Sequence, residues 1–398
     1  MNVLRKRRPR AHEARPQGQR PSRVAKKKSV SNVNPDLFTK KAIPLEASVY
    51  KPTRTITDLP IDPFIKGNLA RKGYKHPTEI QEHAIQPILD GRNVMGIAQT
   101  GTGKTGAFLI PIINKLLKTS PAFQVLIVVP TRELAVQVEE EFKSMAKGTG
   151  LSSLCFIGGI SVRRDLSLLR SKVHVVIGTP GRLVDLSQQR ALQFNRFTTL
   201  VLDEFDRLLD MGFSKDIQYI VKAMTQRQQT VLFSATEEQN QKHIISSLLH
   251  DPIAVRVSSG KSTGDHIDQE IINIKPGEKK IDILVKMVRD KSFQKVIVFA
   301  ETKRGVSNVR RNLEKAGVRV DEIHGNKSQN YRLKALNSFR SGQIQVLVAT
   351  DVAARGLDIS AVTHVINFQP PKNIDSYIHR IGRTGRAGME GKAYTFAN

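Results

Sequence analysis

The fold is decided by the stretch Asn93–Ile110, NVMGIAQTGTGKTGAFLI, in which an apolar run enters a Gly/Thr-rich turn and a helix-compatible run leaves it. A strand, a glycine-containing turn and a helix in this order are typical of a phosphate-binding loop. Glycines let successive backbone N–H groups converge on one anion, and the helix N-terminus adds partial positive charge there. The loop residues predicted to hold a nucleotide are Thr100, Gly101, Thr102, Gly103, Lys104 and Thr105.

Two side chains of this loop have specific expected tasks. Lys104 is expected to reach the β- and γ-phosphates, and the Thr105 hydroxyl is expected to ligate Mg²⁺. The usual motif begins with Gly, whereas this chain has Ala98 at that position. The alternative is a Gly/Thr-rich surface loop before a helix, which the position of Lys104 and Thr105 at a strand-to-helix junction disfavours.

Apolar runs alternate with helical patterns on both sides of the loop. Near-continuous Val/Ile/Leu runs between helices indicate parallel strands that are buried on both faces. The predicted strands are Val125–Val129, Ser153–Ile157, Val173–Ile177, Leu200–Asp203, Thr230–Ser234, Val296–Phe299, Val318–Ile323, Val346–Ala349, His364–Asn367 and Ala393–Phe396. This alternation predicts an α/β fold of two tandem units, each a mostly parallel sheet flanked by helices.

The predicted domain boundaries follow changes in composition. Residues 1–55 form a basic extension, and its first 35 residues, which are rich in Pro, Arg and Lys, are expected to be disordered. Residues 56–257 form the first unit, the Gly/Ser-rich segment 258–268 a flexible linker, and 269–398 the second unit. The sequence ends directly after the last strand candidate, which leaves open a further covering helix.

The charge of the chain favours a polyanionic partner. Lys and Arg number 63 against 36 Asp and Glu, which gives a net charge of +27 in 398 residues. The first thirty residues contribute +10 of this, so the folded region is basic as well. No window is apolar enough to span a bilayer, and no amphipathic basic helix or lipidation signal supports a membrane partner. The single cysteine, Cys155, excludes a disulfide framework within the chain and is expected to be a small buried side chain.

Two carboxylates follow a predicted buried strand in Leu200–Asp206, LVLDEFD. Ligands gather at the carboxyl ends of parallel strands, so Asp203 is expected to hold Mg²⁺, mostly through water. Glu204 is then placed to orient and deprotonate an attacking water. The alternative is an acidic helix N-terminus stabilised by the helix dipole, and the phosphate-binding loop upstream favours the catalytic interpretation.

A cluster of arginines and glycines occupies His379–Gly388, HRIGRTGRAG. Guanidinium groups bind phosphate through paired donors and stay charged. Arg383 and Arg386 are predicted to reach a γ-phosphate across a cleft between the units, as arginine fingers. A basic loop contacting nucleic-acid phosphates is the alternative, and Arg380 is assigned to that second task.

Loops at strand ends carry groups suited to a sugar-phosphate backbone. Backbone N–H groups, hydroxyls and guanidinium groups can position a strand without reading its bases. Isolated loops of this kind are often only turns, but here they recur after successive strands in both units. The residues concerned are Pro130, Thr131, Arg132, Gly158, Gly159, Thr179, Pro180, Gly181, Arg182, Thr302, Lys303, Arg304, His324 and Gly325.

From about Ile56 to the end, the chain resembles the DEAD-box ATP-dependent RNA helicases of superfamily 2, which have two RecA-like domains. Gly73–Gln81 resembles the adenine-reading Q motif, which implies nucleotide contacts by Tyr74 and Gln81. Ser234-Ala235-Thr236 is similar to the motif that couples hydrolysis to strand separation. The resemblance further implies RNA contacts by Gln329, Arg332, Thr350 and Asp351, nucleotide contacts by Gly356 and Asp358, and arginine fingers at Arg383 and Arg386.

The implied function is RNA-stimulated hydrolysis of ATP with Mg²⁺ as cofactor, coupled to separation of short RNA duplexes or remodelling of RNA–protein complexes. A cytoplasmic monomer that contacts RNA mainly through its backbone is expected. Two departures from the family are Phe205, where the family has Ala, and Ile56, where it has an aromatic residue that stacks on adenine. A superfamily 2 DNA helicase or translocase and an ATP-gated RNA clamp with little unwinding remain alternatives.

Overall fold

The structure is a computed structural model that describes residues 39–41, 50–99, 101–119, 124–236, 239–257, 267–354, 362–385 and 391–397. Four residues of the predicted site, Thr100, Gly356, Asp358 and Arg386, lie outside these ranges, as does most of the predicted basic extension.

The first unit is built on a seven-stranded sheet, counted over the described residues, in the order β3-β4-β2-β5-β6-β1-β7. Its strands are β1 Val94–Ile97, β2 Val125–Val128, β3 Ser153–Phe156, β4 Val175–Gly178, β5 Thr199–Leu202, β6 Gln229–Ser234 and β7 Ile253–Arg256. Each neighbouring pair is parallel. The strands predicted from the sequence in this unit are confirmed, and β7 is additional.

Helices connect these strands and cover both faces of the sheet. They are α1 Pro63–Arg71, α2 Glu79–Leu89, α3 Lys104–Thr119, α4 Arg132–Met145, α5 Val162–Leu168, α6 Pro180–Gln188, α7 Phe205–Asp210, α8 Ser214–Ala223 and α9 Gln239–Leu248, with short 3₁₀ turns at Ile56–Asp58 and Phe194–Arg196. The side chains of β2 alternate between two cores, because Val125 and Ile127 enter one and Leu126 and Val128 the other. Burial on both faces explains why these strands are apolar throughout.

The second unit repeats the plan with a six-stranded parallel sheet, counted over the described residues, in the order β10-β11-β9-β12-β13-β8. Its strands are β8 Ile267–Asn273, β9 Val296–Phe299, β10 Val320–Ile323, β11 Val346–Ala349, β12 His364–Asn367 and β13 Gly391–Ala397. Its helices are α10 Lys280–Val288, α11 Lys303–Lys315, α12 Gln329–Arg340, α13 Asp351–Ala354 and α14 Ile374–Ile381. The predicted α/β fold of two parallel-sheet units is confirmed.

Threonine side chains cap the N-termini of two helices that follow strands. Thr131 Oγ1 accepts a hydrogen bond from Leu134 N at 3.3 Å, and Thr302 Oγ1 accepts one from Gly305 N at 3.0 Å. These contacts satisfy backbone donors that a helix N-terminus leaves unpaired. Two of the threonines predicted to contact RNA therefore also fix where α4 and α11 begin.

Two predicted boundaries need correction. Strand β8 begins at Ile267, which is buried and pairs with Gly391, so the last two residues of the predicted linker belong to the second sheet. The predicted extension also makes contacts before residue 56. Lys40 exchanges backbone hydrogen bonds of 3.1 and 2.7 Å with Gln269 at the edge of the second sheet, and Thr53 N donates to Glu82 of α2 at 3.4 Å. Edge strands carry free backbone groups, which a passing segment can satisfy.

A buried histidine makes the stability of the second unit depend on pH. His364 is 4% exposed, and its ring stacks on Phe293 with the centroids 3.9 Å apart. Burial lowers the pKa of His364 from 6.5 to about 4, with a further lowering from Lys392. The folded chain therefore keeps this ring neutral at a pH at which the unfolded chain protonates it.

We predict that the free energy of unfolding falls as the pH drops from 6.5 towards 4, because only the unfolded state binds the proton in that window. The full shift corresponds to about 3 kcal/mol. Urea unfolding at several pH values measures this slope. His364→Gln is expected to flatten it, whereas the same change at the exposed His83 leaves it as in the wild type. An unchanged slope in His364→Gln contradicts the assignment.

Candidate nucleotide and RNA site between the two domains

Three neighbouring strands place the predicted catalytic groups at one edge of the first sheet. Strand β6 lies between β5 and β1, with Leu202 beside Leu232 and Ile97 beside Ser234. The loop that contains Lys104 follows β1, Asp203 and Glu204 follow β5, and Ser234 ends β6. Parallel strands end at the same edge, so residues far apart in sequence meet there.

The phosphate-binding loop is held by its own side chains. Lys104 is 6% exposed, and its Nζ donates to Ala98 O at 2.7 Å. Gly101 and Gly103 have φ values of +88° and +95°, which disfavour any residue with a Cβ. A Cβ at Gly103 would also lie 2.6 Å from Gln81 Nε2. The glycines thus serve both the turn and a close approach by the Q motif.

The Q-motif glutamine bonds the loop directly. Gln81 is 1% exposed, its Nε2 donates to Gly103 O at 3.0 Å, and its Oε1 accepts from Thr78 N at 3.0 Å. Both ends of the amide therefore contact protein, which ties the start of α2 to the loop. Adenine recognition by Gln81 stays a prediction.

The residue at the predicted adenine-covering position, Ile56, is buried in the first domain. Ile56 is 3% exposed within the first core, and its N–H donates to Lys75 O at 3.1 Å. Tyr74 is partly buried against the same core, and burial raises its pKa, with a smaller contribution from Glu141. Neither the Tyr74 ring nor the Ile56 side chain is fully exposed for stacking on a base.

Asp203 is the most deeply buried of the candidate catalytic acids. It is 2% exposed, and burial raises its pKa to about 6, although the Lys104 ammonium opposes the rise and the Glu204 carboxylate adds to it. The Asp203 carboxylate and the Thr105 hydroxyl are oxygen donors of the type that Mg²⁺ binds, with waters in the remaining positions. A cation here would compensate a desolvated negative charge. Among the described residues no group of three His, Cys, Asp or Glu forms a cluster that could hold a metal ion on its own.

Glu204 adopts an unusual backbone conformation and forms a buried ion pair. Its φ and ψ are 49° and 53°, the left-handed region, which costs a non-glycine residue free energy and is typical of functional sites. Its Oε2 accepts a hydrogen bond from Arg207 NH1, one helical turn later. Arg207 is 4% exposed, and its NH2 is buried and has no partner in the described structure.

Asp206, the third acidic residue of the motif, contacts the end of β6. Asp206 N donates to Ser234 Oγ at 3.3 Å, and Asp206 Oδ2 accepts from Ala235 N at 3.2 Å and from Thr236 Oγ1 at 3.4 Å. The Phe205 side chain is fully buried and packs into the core on one face of the sheet. The Phe205 ring points into this core, so it does not prevent Asp206 from contacting Ser234, Ala235 and Thr236.

The second domain completes a cavity over these groups. A space of about 100 Å³ is enclosed by Lys104, Glu204 and Arg207 from the first domain and by His379 and Arg383 from the second. Arg383 is 5% exposed and donates through Nε to His379 O at 3.3 Å. The structure thus brings the predicted arginine finger at Arg383 to the predicted base and the phosphate-binding lysine.

A second contact between the domains lies near the predicted RNA loops. Glu133 Oε1 of α4 accepts from Gln329 Nε2 at 2.9 Å and pairs with Arg332 NH2 at 3.0 Å, both on α12. All three residues are largely buried, and burial lowers the pKa of Arg332 while Glu133 opposes that shift. In this arrangement Gln329 and Arg332 bond the first domain, which differs from the direct RNA contact predicted for them.

Two arginines predicted to contact RNA are occupied by protein groups. Arg182 is 8% exposed, donates through Nε to Ile157 O at 3.3 Å and lies 3.6 Å from the buried Asp165. Arg380 is 3% exposed and pairs bidentately with Asp351 at 2.5 and 2.8 Å, with further bonds to Asn367 and Gln369. We therefore assign both a positioning role, because their donors support loops instead of facing solvent.

The Arg132 side chain is half-buried and packs against the glycine loop. Its guanidinium lies against Gly158 and Gly159, where a Cβ would come within 2.9 and 2.4 Å of its nitrogens. Arg182 supports the same loop from beneath through the Ile157 and Ile160 carbonyls. Gly159 is favoured by its φ of +81°, whereas a Cβ at Gly158 would require the Arg132 guanidinium to shift. Thr179, Pro180, Thr302, Gly325 and Thr350 lie at strand ends of the two sheets, as predicted.

Sequence reasoning assigned no individual role to three residues that the structure places in the site, Arg207, Asp165 and Glu133, the last of which belongs to the predicted RNA-binding loop 130–133. Arg207 could have been found from its spacing, since i and i+3 share a helix face with Glu204. Glu133 and Asp165 carried no such local signal, because their partners Arg332 and Arg182 lie elsewhere in the sequence.

Comparison with known proteins gives consistent matches. The family model for the DEAD/DEAH box helicase matches residues 78–244, and that for the helicase conserved C-terminal domain matches residues 279–388. The ATP-dependent RNA helicase CshA of Listeria monocytogenes is 43% identical over 336 residues, which cover 84% of this chain and 64% of that protein. The DEAD-box ATP-dependent RNA helicase CshA of Geobacillus kaustophilus is 42% identical over 342 residues, which cover 86% and 73%.

Among solved structures, Saccharomyces cerevisiae Dbp5 bound to RNA and ADP BeF3 matches with a TM-score of 0.77 and 28% identity, covering 86% of this chain and 89% of that one. In the described residues no helix is long and apolar enough to cross a membrane. The shared motifs, the two RecA-like domains and the level of identity show that the chain belongs to the DEAD-box family of ATP-dependent RNA helicases.

Proposed function

We propose that this chain is an RNA-stimulated ATPase that locally separates short RNA duplexes or remodels RNA–protein complexes. The observation that carries the proposal is the enclosed cavity in which Lys104, Glu204 and Arg383 meet from two domains. A γ-phosphoryl group there would have a cation on each side and a carboxylate able to activate water.

The chemical roles follow from the positions of the side chains. Glu204 orients and deprotonates the attacking water, because its carboxylate lines the cavity with Arg383, whereas Asp206, the other carboxylate there, accepts hydrogen bonds from Ala235 N and Thr236 Oγ1. Lys104 and Arg383 stabilise the negative charge that develops on the equatorial oxygens. Arg386, outside the described residues, is proposed as the second finger.

Thr105 and Asp203 are the residues that would hold Mg²⁺, through an oxygen donor set suited to that ion. When bound, the ion would supply positive charge to the phosphate oxygens. The buried Asp203 carboxylate supports this proposal, because burial has raised its pKa to about 6 and a nearby cation would favour its charged form.

Closure of the two domains is the step that RNA would control. Dbp5 with bound RNA and ADP BeF3 matches both domains of this chain in one superposition, with a TM-score of 0.77. The Glu133 contact with Gln329 and Arg332 and the placement of Arg383 belong to this closed arrangement. A ligand that binds better to the closed form shifts the population towards it, and we assign this role to ATP and RNA together.

RNA is proposed to lie across the strand ends of both domains, held mainly by its backbone. Arg132, the Gly158-Gly159 loop and the N-termini of α4 and α11 offer guanidinium and N–H donors at this surface. Such donors position a strand without reading its sequence. A cytoplasmic location and a monomeric state stay predictions from the sequence.

We expect Glu204→Gln to lower steady-state phosphate release with saturating RNA by at least about a hundredfold, because the amide cannot accept the water proton. Its affinity for a fluorescent ATP analogue should stay near that of the wild type, since Lys104 and the loop are unchanged. Asp216→Asn on α8 is a control with the same charge change outside the cavity. Full turnover by Glu204→Gln would remove the assignment of the base.

We expect Glu133→Gln to raise the RNA concentration for half-maximal ATPase activity by about tenfold, since closure then buries Arg332 without its counter-charge. Affinity for ATP without RNA should be unchanged. The control is Glu139→Gln on the same helix, which removes the salt bridge between Glu139 and the exposed Lys143. In the double variant Glu133→Gln/Arg332→Gln, the RNA concentration for half-maximal activity should rise by less than the two single changes combined predict. Strictly additive effects of the two substitutions would argue against a direct coupling between these residues.

Stimulation by RNA and by DNA separates this function from the main alternative. A DNA helicase or translocase of the same superfamily would use similar backbone contacts, because these do not by themselves detect the 2′-hydroxyl. We expect single-stranded RNA to stimulate phosphate release far more than DNA of the same sequence. Equal stimulation would count against the RNA assignment, and RNA binding with no phosphate release would indicate an ATP-gated clamp.

A further inference from the structure

Helix α11 carries a basic face, and none of its residues is among those that line the nucleotide cavity. Its thirteen residues include five Lys or Arg and one acidic residue, Glu314. Arg304, Asn308, Arg311 and Lys315 follow one another at spacings of four, three and four, which places them on one face of the helix. All four are exposed.

Most of this positive charge is not neutralised by the protein. Glu314 pairs with Arg310 on the adjacent side of the helix at 2.8 Å. Within the stretches of chain that the structure describes, Arg304, Arg311 and Lys315 form no ion pair with a carboxylate. The nearby Glu322 is buried and pairs with Lys327 at 2.7 Å, so it does not offset the charge of this face.

A groove runs beside the basic face. It has a volume of about 640 Å³ and is lined by Lys303, Arg304, Asn308, Arg311, His324 and Asn326. Its far wall is a fixed loop, because His324 Nδ1 accepts from Asn326 N at 3.2 Å and Asn326 Oδ1 accepts from Lys303 Nζ at 2.8 Å. Ser307 Oγ donates to Glu322 at 2.6 Å beneath the loop. The groove is therefore built by bonded side chains.

The groove overlaps one end of the predicted RNA surface, because Lys303, Arg304 and His324 belong to both. Arg311 lines the groove beyond those residues, and Lys315 lies one helical turn further along α11. From Arg304 to Lys315 the helix rises about 16 Å, enough for a few nucleotides. No Phe or Tyr ring is among the groove's described lining residues, so stacking on bases is not its mode of contact.

Resting on the proposed function, we infer that α11 carries a second RNA surface, which binds the phosphates of a strand segment that has left the cleft between the domains. Arg311 and Lys315 extend the contact beyond the nucleotides held by the two domains together. RNA that only fills the cleft would not reach them. The extension would give longer RNAs higher affinity without sequence preference.

The test compares oligoribonucleotides of increasing length on the full chain. Fluorescently labelled oligouridines, from one that fills only the cleft to others lengthened at the 5′ or the 3′ end, are titrated with a non-hydrolysable ATP analogue present, at several KCl concentrations. We expect lengthening at one end to tighten binding to the wild type. The variant Arg311→Gln/Lys315→Gln should bind those longer oligomers with about tenfold lower affinity, and its affinity should depend less steeply on salt.

Binding of the shortest effective oligomer should be the same for this variant and the wild type. Gln is a good helix former, so the helix should persist, and circular dichroism checks this. The matched control is Lys215→Gln/Lys222→Gln, which removes two exposed charges from α8 in the first domain and should bind every length as the wild type does.

Two results overturn the inference in distinguishable ways. If the short oligomer stimulates ATP hydrolysis but the α11 variant and the α8 control lose affinity equally at all lengths, the second surface is wrong and the proposed function stands. If the short oligomer neither binds nor stimulates hydrolysis in the wild type, the proposed function fails and the inference fails with it.

Discussion

The parallel register of β5, β6 and β1 is the constraint on which the site depends. Because these strands end together, the loop before α3, the turn after β5 and Ser234 reach the same edge of the sheet. In the sequence, Asp203 lies 99 residues after Lys104, and Ser234 lies 31 residues after Asp203. Burial of both sheet faces holds this register, since a slip of one residue would exchange the sides on which β2 and its neighbours pack.

The site concentrates charge in a place where charge is costly. Lys104, Asp203, Glu204, Arg207 and Arg383 are all at least nine-tenths buried. Each is tolerable only with partners, and the structure provides some of them, through the pair of Glu204 with Arg207 and the bond of Lys104 to Ala98. The raised pKa of Asp203 and the unpaired nitrogen of Arg207 mark where compensation is incomplete. A bound triphosphate with its cation has the charges needed at such a site.

Several motif residues act on other residues of the protein. Gln81 braces the phosphate-binding loop, Arg182 supports the Gly158-Gly159 loop, and Arg380 holds Asp351. Short loops at strand ends have little internal packing, so a buried guanidinium or amide with several bonds is an effective brace. The Arg132 guanidinium lies against the Gly158-Gly159 loop, which Arg182 braces in this way.

Local sequence patterns determined the elements and the chemistry within each loop. The apolar run before Gly101, the glycines themselves and the carboxylates after β5 are signals that neighbouring residues carry, so strands, helices and the roles of Lys104 and Asp203 could be predicted from them. The departures at Ile56 and Phe205 could also be seen, but not that both side chains enter a core. The family resemblance added the expectation that arginines of the second domain act on a nucleotide held by the first.

Tertiary structure alone decided which distant groups meet. Glu133 with Arg332, Asp165 with Arg182 and Lys40 with Gln269 join segments that no periodicity connects. Whether a guanidinium faces a ligand or a carbonyl depends on how the sheet edges and the two domains pack. A sequence records the donors of each side chain, but the acceptor is chosen by whatever lies within about 3 Å once the chain has folded.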